Sequence, residues 1–252
     1  MFIACAVAFG INWLAFIPAN AAQTEKYYDL TGSVTYLTTV LISLVAVGSY
    51  DGRSVLLVCL IGMWALRLGS FLFARVRKDG KDGRFDKIKV NPLRFLTAWT
   101  TQGLWVFLTL CCALAAITAP KDGRIGTIAV IGAVVWLIGF GIEVTADNQK
   151  TAFKRDPANK GRFISTGIWA WSRHPNYLGE IMLWAGIAII ALPTLSGWRY
   201  VTLISPLFVY LLLTRVSGVP MLEARSDKRW GGQADYEAYK AATPTLMMKP
   251  PS

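Results

Sequence analysis

A chain of 252 residues with a formal net charge of +11 is long enough for one or two soluble domains. Yet 54% of it is hydrophobic and only 16% charged, with a mean hydropathy of +0.43, a balance that excludes an ordinary soluble domain and points to helices in a bilayer. Basicity alone makes no case for nucleic acid, because no basic helix or aromatic-interleaved recognition motif accompanies it.

Apolar stretches close to the roughly 20 residues needed to cross a bilayer as helix fall at about 2–22, 30–50, 54–74, 95–118, 125–147, 179–196 and 198–217. The first ends in Ala19-Asn20-Ala21, which has the form of a signal-peptidase site. It lacks a charged leader, however, and is read as a span. The second opens on Tyr28-Asp29-Leu30, and the third holds Arg67 in mid-span. An arginine there must face a cavity or a carboxylate, or snorkel to the surface. Cys5, Cys59, Cys111 and Cys112 lie within spans without metal-ligand spacing, so they are expected to be small apolar fillers, and no metal site is expected. Pro206 falls inside the seventh span.

Charge tests this count independently. Loops 23–29, 75–94, 148–178 and the tail from Arg215 share one side of a seven-span topology and carry 21 of the 26 Lys and Arg residues. The other side has Arg53, Lys121, Arg124 and Arg199. Such a split predicts an all-α polytopic membrane protein with seven transmembrane helices, its N-terminus outside and its C-terminus cytoplasmic.

The unusual polar residues concentrate after residue 142. Glu143 and Asp147 are four apart at the end of span five and share one helical face, which Lys150 and Lys154 continue. A solvated helix end accounts for this spacing. So does a ligand-binding strip, with carboxylates for hydroxyls or amides and ammonium groups for phosphates. Between spans five and six stand Lys150, Lys154, Arg155, Lys160, Arg162 and Arg173, around the segment Trp171–Glu180 that holds the single histidine, His174. A helix starting near Asn176 would add its N-terminal amides to an anion site. No glycine-rich dinucleotide fingerprint or Walker loop is present, so any nucleotide must be held by a pocket of membrane helices.

These residues carry a resemblance. The runs E-V-T-A-D-N-Q-K-T-A-F-K (143–154), S-R-H-P-N-Y-L-G-E (172–180), E-A-R-S-D-K-R-W-G (223–231) and Y-E-A-Y (236–239) resemble, in order and spacing, the C-terminal half of the steroid 5α-reductase and sterol C14-reductase superfamily. They are most similar to its bacterial 5α-reductase-like branch. Lys154 replaces a family arginine, and Arg229-Trp230-Gly231 stands at the K-Y-G positions. The resemblance implies a single integral membrane domain over residues 1–252, in which 1–142 shape a lipid pocket and 143–252 bind NADPH. It implies reduction of a carbon–carbon double bond in a 3-oxo-4-ene steroid or similar enone from the bilayer. Asn176 and Glu180 would hold the nicotinamide, with Glu180 also at the reacting centre. Arg67, Glu143, Asp147, Lys150, Lys154, Arg173, His174, Tyr177, Glu223, Arg229 and Tyr239 would complete the cofactor site. On the substrate side, Asp29 would take a family glutamate's place. The family's tyrosine position is filled by Trp64, a departure that leaves Tyr28 and Tyr36 as substitute proton donors.

Part of this signature is shared by isoprenylcysteine and phospholipid methyltransferases, which use S-adenosylmethionine. Glu223, Tyr236, Tyr239 and Thr243-Pro244 fit their C-terminal pattern. The paired lysines decide for the reductase, since S-adenosylmethionine has no phosphate and is a cation. A non-enzymatic lipid binder is the third reading. A multi-pass protein of a bacterial inner membrane, with its cofactor site on the cytoplasmic face, is expected.

Overall fold

A computed structural model describes residues 1–48, 50–80, 82–119 and 125–250. Lys81, Lys121 and Arg124, which enter the charge argument, lie outside the described residues. All regular structure among the described residues is helical: α1 (Phe2–Ala21), α2 (Tyr28–Val47), α3 (Gly52–Asp79), α4 (Pro92–Ile117), α5 (Thr127–Arg155), α6 (Pro175–Ala191), α7 (Ile204–Leu211), α8 (Val219–Trp230) and α9 (Ala234–Ala242), joined by short 3-10 turns. Among the described residues, seven segments are long and apolar enough to cross a membrane, which is the expected number.

Local chemistry sets the helix ends. Asp51 caps α3 by accepting from the Ser54 amide at 2.7 Å, and Asn91 caps α4 by accepting from Arg94 at 3.1 Å. Pro92 occupies the first position of α4, where its missing N–H costs nothing. α2 stops at Gly48 (φ +66°) and α3 at Gly80 (φ +80°). Two helices outrun their hydropathy boundaries: α3 continues from 74 to Asp79 and α5 from 147 to Arg155. Their extensions are rich in Arg, Lys, Gln and Ala, which are good helix formers, and the cations of the last turn suit the helix dipole.

The seventh segment departs furthest from a plain span. It begins as a 3-10 stretch (Gly197–Leu203), becomes α7, and passes through a five-residue π turn (Leu212–Val216) before α8. Pro206 sits in the first turn of α7, where the 3-10 stretch passes into α-helix. Cys59, expected to be buried, is exposed on α3.

The chain divides into two compact units, Met1–Val130 with Ala188–Ser205 and Ile131–Ile187 with the chain from Pro206. In the first, α1 packs on α4 and α2 lies against α1, α3 and α4. A buried aromatic cluster of Phe95 and Trp99 receives Phe85, from the segment before α4. In the second, α5 and α6 approach at backbone distance. A Cβ at Gly179 would lie 2.5 Å from the Gly139 carbonyl, and one at Gly186 would lie 2.6 Å from that of Gly132. Small residues matter there because lipid offers apolar side chains no reason to leave it, so helices associate through close packing and hydrogen bonds.

Candidate functional site

The site lies wholly in the second unit, and the polar end of α5 is its floor. Glu143 and Asp147 are buried at 3% and 8% exposure on the face that their spacing predicts. The chain after α5 folds back over it. Ile168 donates its amide to Gln149 Oε1 at 3.0 Å, and the Trp169 indole donates to the Ala146 carbonyl at 3.0 Å. Gly167, at φ +61°, takes a left-handed conformation that larger residues rarely adopt, and it lies directly against the end of the Gln149 side chain. Trp169 is thereby set under the Lys150 ammonium, 4.4 Å from its ring centre.

α6 opens at Pro175, directly after the polar run. His174 Nε2 meets Glu223 Oε1 of α8 at 2.7 Å, and its ring stacks on Tyr177 at 5.7 Å between centres. Arg173 reaches the other oxygen of Glu223 at 3.1 Å. A second latch joins α8 to α9: Asp227 accepts from the Tyr236 hydroxyl at 2.9 Å and from Lys240 at 2.7 Å. The Tyr239 hydroxyl donates to the Trp169 carbonyl at 2.7 Å. Burial pushes both tyrosine hydroxyls above their ordinary range; the bond to Asp227 adds to it at Tyr236, and at Tyr239 burial outweighs the opposing charge of Arg173. Both therefore stay protonated donors at neutral pH.

Between these elements is a cavity of about 260 Å³. One wall is aromatic, built on Phe163 with Trp230, Tyr236 and Tyr239 at 5.9, 5.3 and 5.4 Å between ring centres. Around it stand Lys150, Lys154, Arg162, Arg225 and Arg229, with Glu223 as the acidic lining residue. Three neighbouring side chains keep a buried polar atom without a hydrogen-bond partner: Arg173 Nε, His174 Nδ1 and Asn176 Oδ1. Groups of this kind are costly to leave unpaired, and these three fall within four consecutive residues.

Of the residues expected at a cofactor site, Lys150, Lys154, Arg173, His174, Glu223, Arg229 and Tyr239 line this cavity. Glu143, Asp147, Asn176, Tyr177 and Glu180 belong to the same unit but are not among its lining residues. Arg67 is in the first unit, with its guanidinium 5.1 Å from the Phe71 ring centre. So are the substrate-side residues. Tyr28 donates its hydroxyl to the Ala98 carbonyl at 2.9 Å, and Asp29 faces Arg84 at 3.4 Å and Arg75 at 3.8 Å. Tyr36 and Trp64 meet edge to face at 5.0 Å. Sequence reasoning passed over Phe163, Trp169 and Arg225 as lining residues. The alternation of cation and aromatic in Arg162-Phe163 and Arg229-Trp230 was the available signal.

A family model described as "Protein of unknown function (DUF1295)" matches residues 15–243. The chain is 28% identical over 149 residues to a probable O-methyltransferase of Ustilaginoidea virens, a match covering 52% of this chain and 50% of that protein. It is 25% identical over 176 residues to an uncharacterised protein of Schizosaccharomyces pombe, covering 58% and 51% respectively. Over 64 residues it is 34% identical to a Delta(14)-sterol reductase of Arabidopsis thaliana, covering 21% of this chain and 17% of that one. The chain thus spans about half the length of the first two relatives. No solved structure matches it.

Proposed function

The chain belongs to the DUF1295 family, which is related to the steroid 5α-reductase superfamily, and from that premise we propose that it is a membrane reductase using NADPH to saturate the double bond of a steroid-like enone. The observation that carries the reading is the cavity at His174, where six Lys and Arg side chains and an aromatic wall meet a segment holding three buried polar atoms without a hydrogen-bond partner. Phosphates suit Lys150, Lys154, Arg162, Arg225 and Arg229, and the Phe163–Trp230 wall suits a purine face. A volume of about 260 Å³ sits below the roughly 300–1,000 Å³ of whole ligand pockets, which fits one end of an extended dinucleotide. Asn176 and Glu180, further along α6, are proposed to hold the carboxamide end, with Glu143 and Asp147 toward ribose hydroxyls. Tyr177 keeps the His174 ring in place by stacking on it.

When bound, the cofactor supplies hydride to the β-carbon of the enone. The protein's task is then to exclude water, align the reactants and donate to the carbonyl oxygen, where negative charge collects. Asp29 and Tyr28 are the proposed donors. Each now has a protein partner, so donation requires Tyr28 to leave the Ala98 carbonyl or Asp29 to take up a proton beside Arg84. The basic loops favour a cytoplasmic cofactor face, and the membrane proposed is a bacterial inner membrane.

The second reading is an S-adenosylmethionine-dependent methyltransferase, favoured by the similarity to an O-methyltransferase. The six Lys and Arg side chains of the cavity weigh against it, since that cofactor is a sulfonium with no phosphate. Purified protein incubated with NADPH and a panel of enone steroids is expected to consume NADPH and yield products heavier by two hydrogens. Absence of both, with a methyl group gained in parallel incubations containing S-adenosylmethionine, would sink the reductase.

A further inference from the structure

The segment after α9 does something that neither the motifs nor the cofactor reading requires. Residues 243–250 run back along the polar run before α6 and bond to it repeatedly. The Arg173 amide donates to the Pro244 carbonyl at 2.9 Å, and Lys249 donates its amide to the Trp171 carbonyl at 3.0 Å. Ser172 donates its hydroxyl to the Leu246 carbonyl at 2.9 Å. This strap ends on a side chain: Arg173 Nη2 donates to Thr245 Oγ1 at 2.7 Å, while Nη1 donates to the Lys240 carbonyl at 2.9 Å.

From Thr245 the contacts form one directed chain. A guanidinium only donates, so Thr245 accepts from Arg173, and so does Glu223 at 3.1 Å. The carboxylate has no hydrogen of its own to give, so at 2.7 Å from Glu223 it is His174 Nε2 that must carry the proton. In the neutral form of the imidazole Nδ1 is then bare, and that atom is buried without a protein partner in a residue that is 5% exposed and contributes to the cavity lining.

We propose that Thr245 is a positioning residue: by anchoring Arg173 it holds Glu223 and locks His174 in the tautomer with Nε2 protonated, so that Nδ1 is offered as an acceptor to an N–H or O–H group of the cavity's ligand. The identity of that ligand as NADPH rests on the function proposed above; the tautomer lock does not. With Nδ1 as an acceptor, His174 selects a hydroxyl or amide of the cofactor, and the phosphates fall to the lysines and arginines.

A single histidine makes the test direct. In protein labelled with ¹⁵N-histidine, the two ring nitrogens of neutral His174 are expected to give one protonated Nε2 and one bare Nδ1 signal, and titrated NADPH is expected to move the bare one. Thr245→Val keeps the shape and removes the hydroxyl. It should average the two signals and weaken NADPH binding by up to about tenfold, while Thr245→Ser should restore both. A Thr245→Val spectrum identical to that of the unmodified protein, or an unmodified protein carrying its proton on Nδ1, overturns the proposal. If NADPH moves nothing while the tautomer responds to Thr245→Val, the lock stands and the reductase reading fails.

Discussion

Glu25 holds down the segment ahead of α4 with a single carboxylate. It is 5% exposed, accepts from the Asp82 amide at 2.9 Å and meets Lys89 at 2.6 Å, which keeps Phe85 seated against Phe95 and Trp99. Burial works against its charge, but the Lys89 hydrogen bond and the Asp82 amide outweigh that, and its pKa lies below the ordinary 4.5. A lowered folded value means that the stability it contributes is fully present above the unfolded value near pH 4.5 and is lost as pH falls through the lower folded one. Glu25→Gln is therefore expected to cost about 1.5–3 kcal/mol at neutral pH and to flatten the acid side of the stability profile. Thermal melts in detergent at several pH values measure both. Nothing local in the sequence singles out Glu25, since its partners lie 57 and 64 residues away. Asp29 was legible as a candidate because it opens a span, but its pairing with Arg84 and Arg75 was not.

The close contact of α5 and α6 shows how an element's place depends on atoms that are missing. A methyl group at Gly179 would stand 2.5 Å from the Gly139 carbonyl oxygen and 2.7 Å from the Glu143 nitrogen, all of it backbone that cannot yield by rotating a side chain. Gly179→Ala should force the helices apart at a cost of about 1–3 kcal/mol. It should also weaken NADPH binding, because Glu143 belongs to the proposed cofactor strip. Gly141→Ala, with nothing within 4 Å of its new carbon, is the control and should match the unmodified protein in both. Melting temperature and NADPH titration read the two effects, and equal behaviour of the two variants would refute the packing argument. Hydropathy located both helices without indicating which glycines face which, because a glycine looks the same on either side of a helix.

Across the whole molecule, the uneven distribution of 21 basic residues on one side against four on the other gives the expected orientation. A C-terminal green fluorescent protein fusion in a bacterial host should fluoresce, and a C-terminal alkaline phosphatase fusion should be inactive. An active phosphatase would reverse the topology and place the basic cavity away from cytoplasmic NADPH. The same basic side is expected to attract anionic lipid, which agrees with a chain whose seven apolar segments fit a multi-pass membrane protein.

The sequence by itself determined the helical class, the number of apolar segments and the residue types of the polar strip at the end of α5. In lipid each helix must satisfy its own backbone, so length and hydropathy suffice to find it, and a four-residue spacing suffices to put Glu143 and Asp147 on one face. Only the tertiary structure decided that Arg173 is committed to Glu223, Lys240 and Thr245, that His174 Nδ1 is buried without a hydrogen-bond partner, and that Phe163 faces Trp230. Glu223 stands 49 residues from His174, and Thr245 stands 72 from Arg173. Pairings over such separations follow from how whole elements pack, and no local pattern carries them.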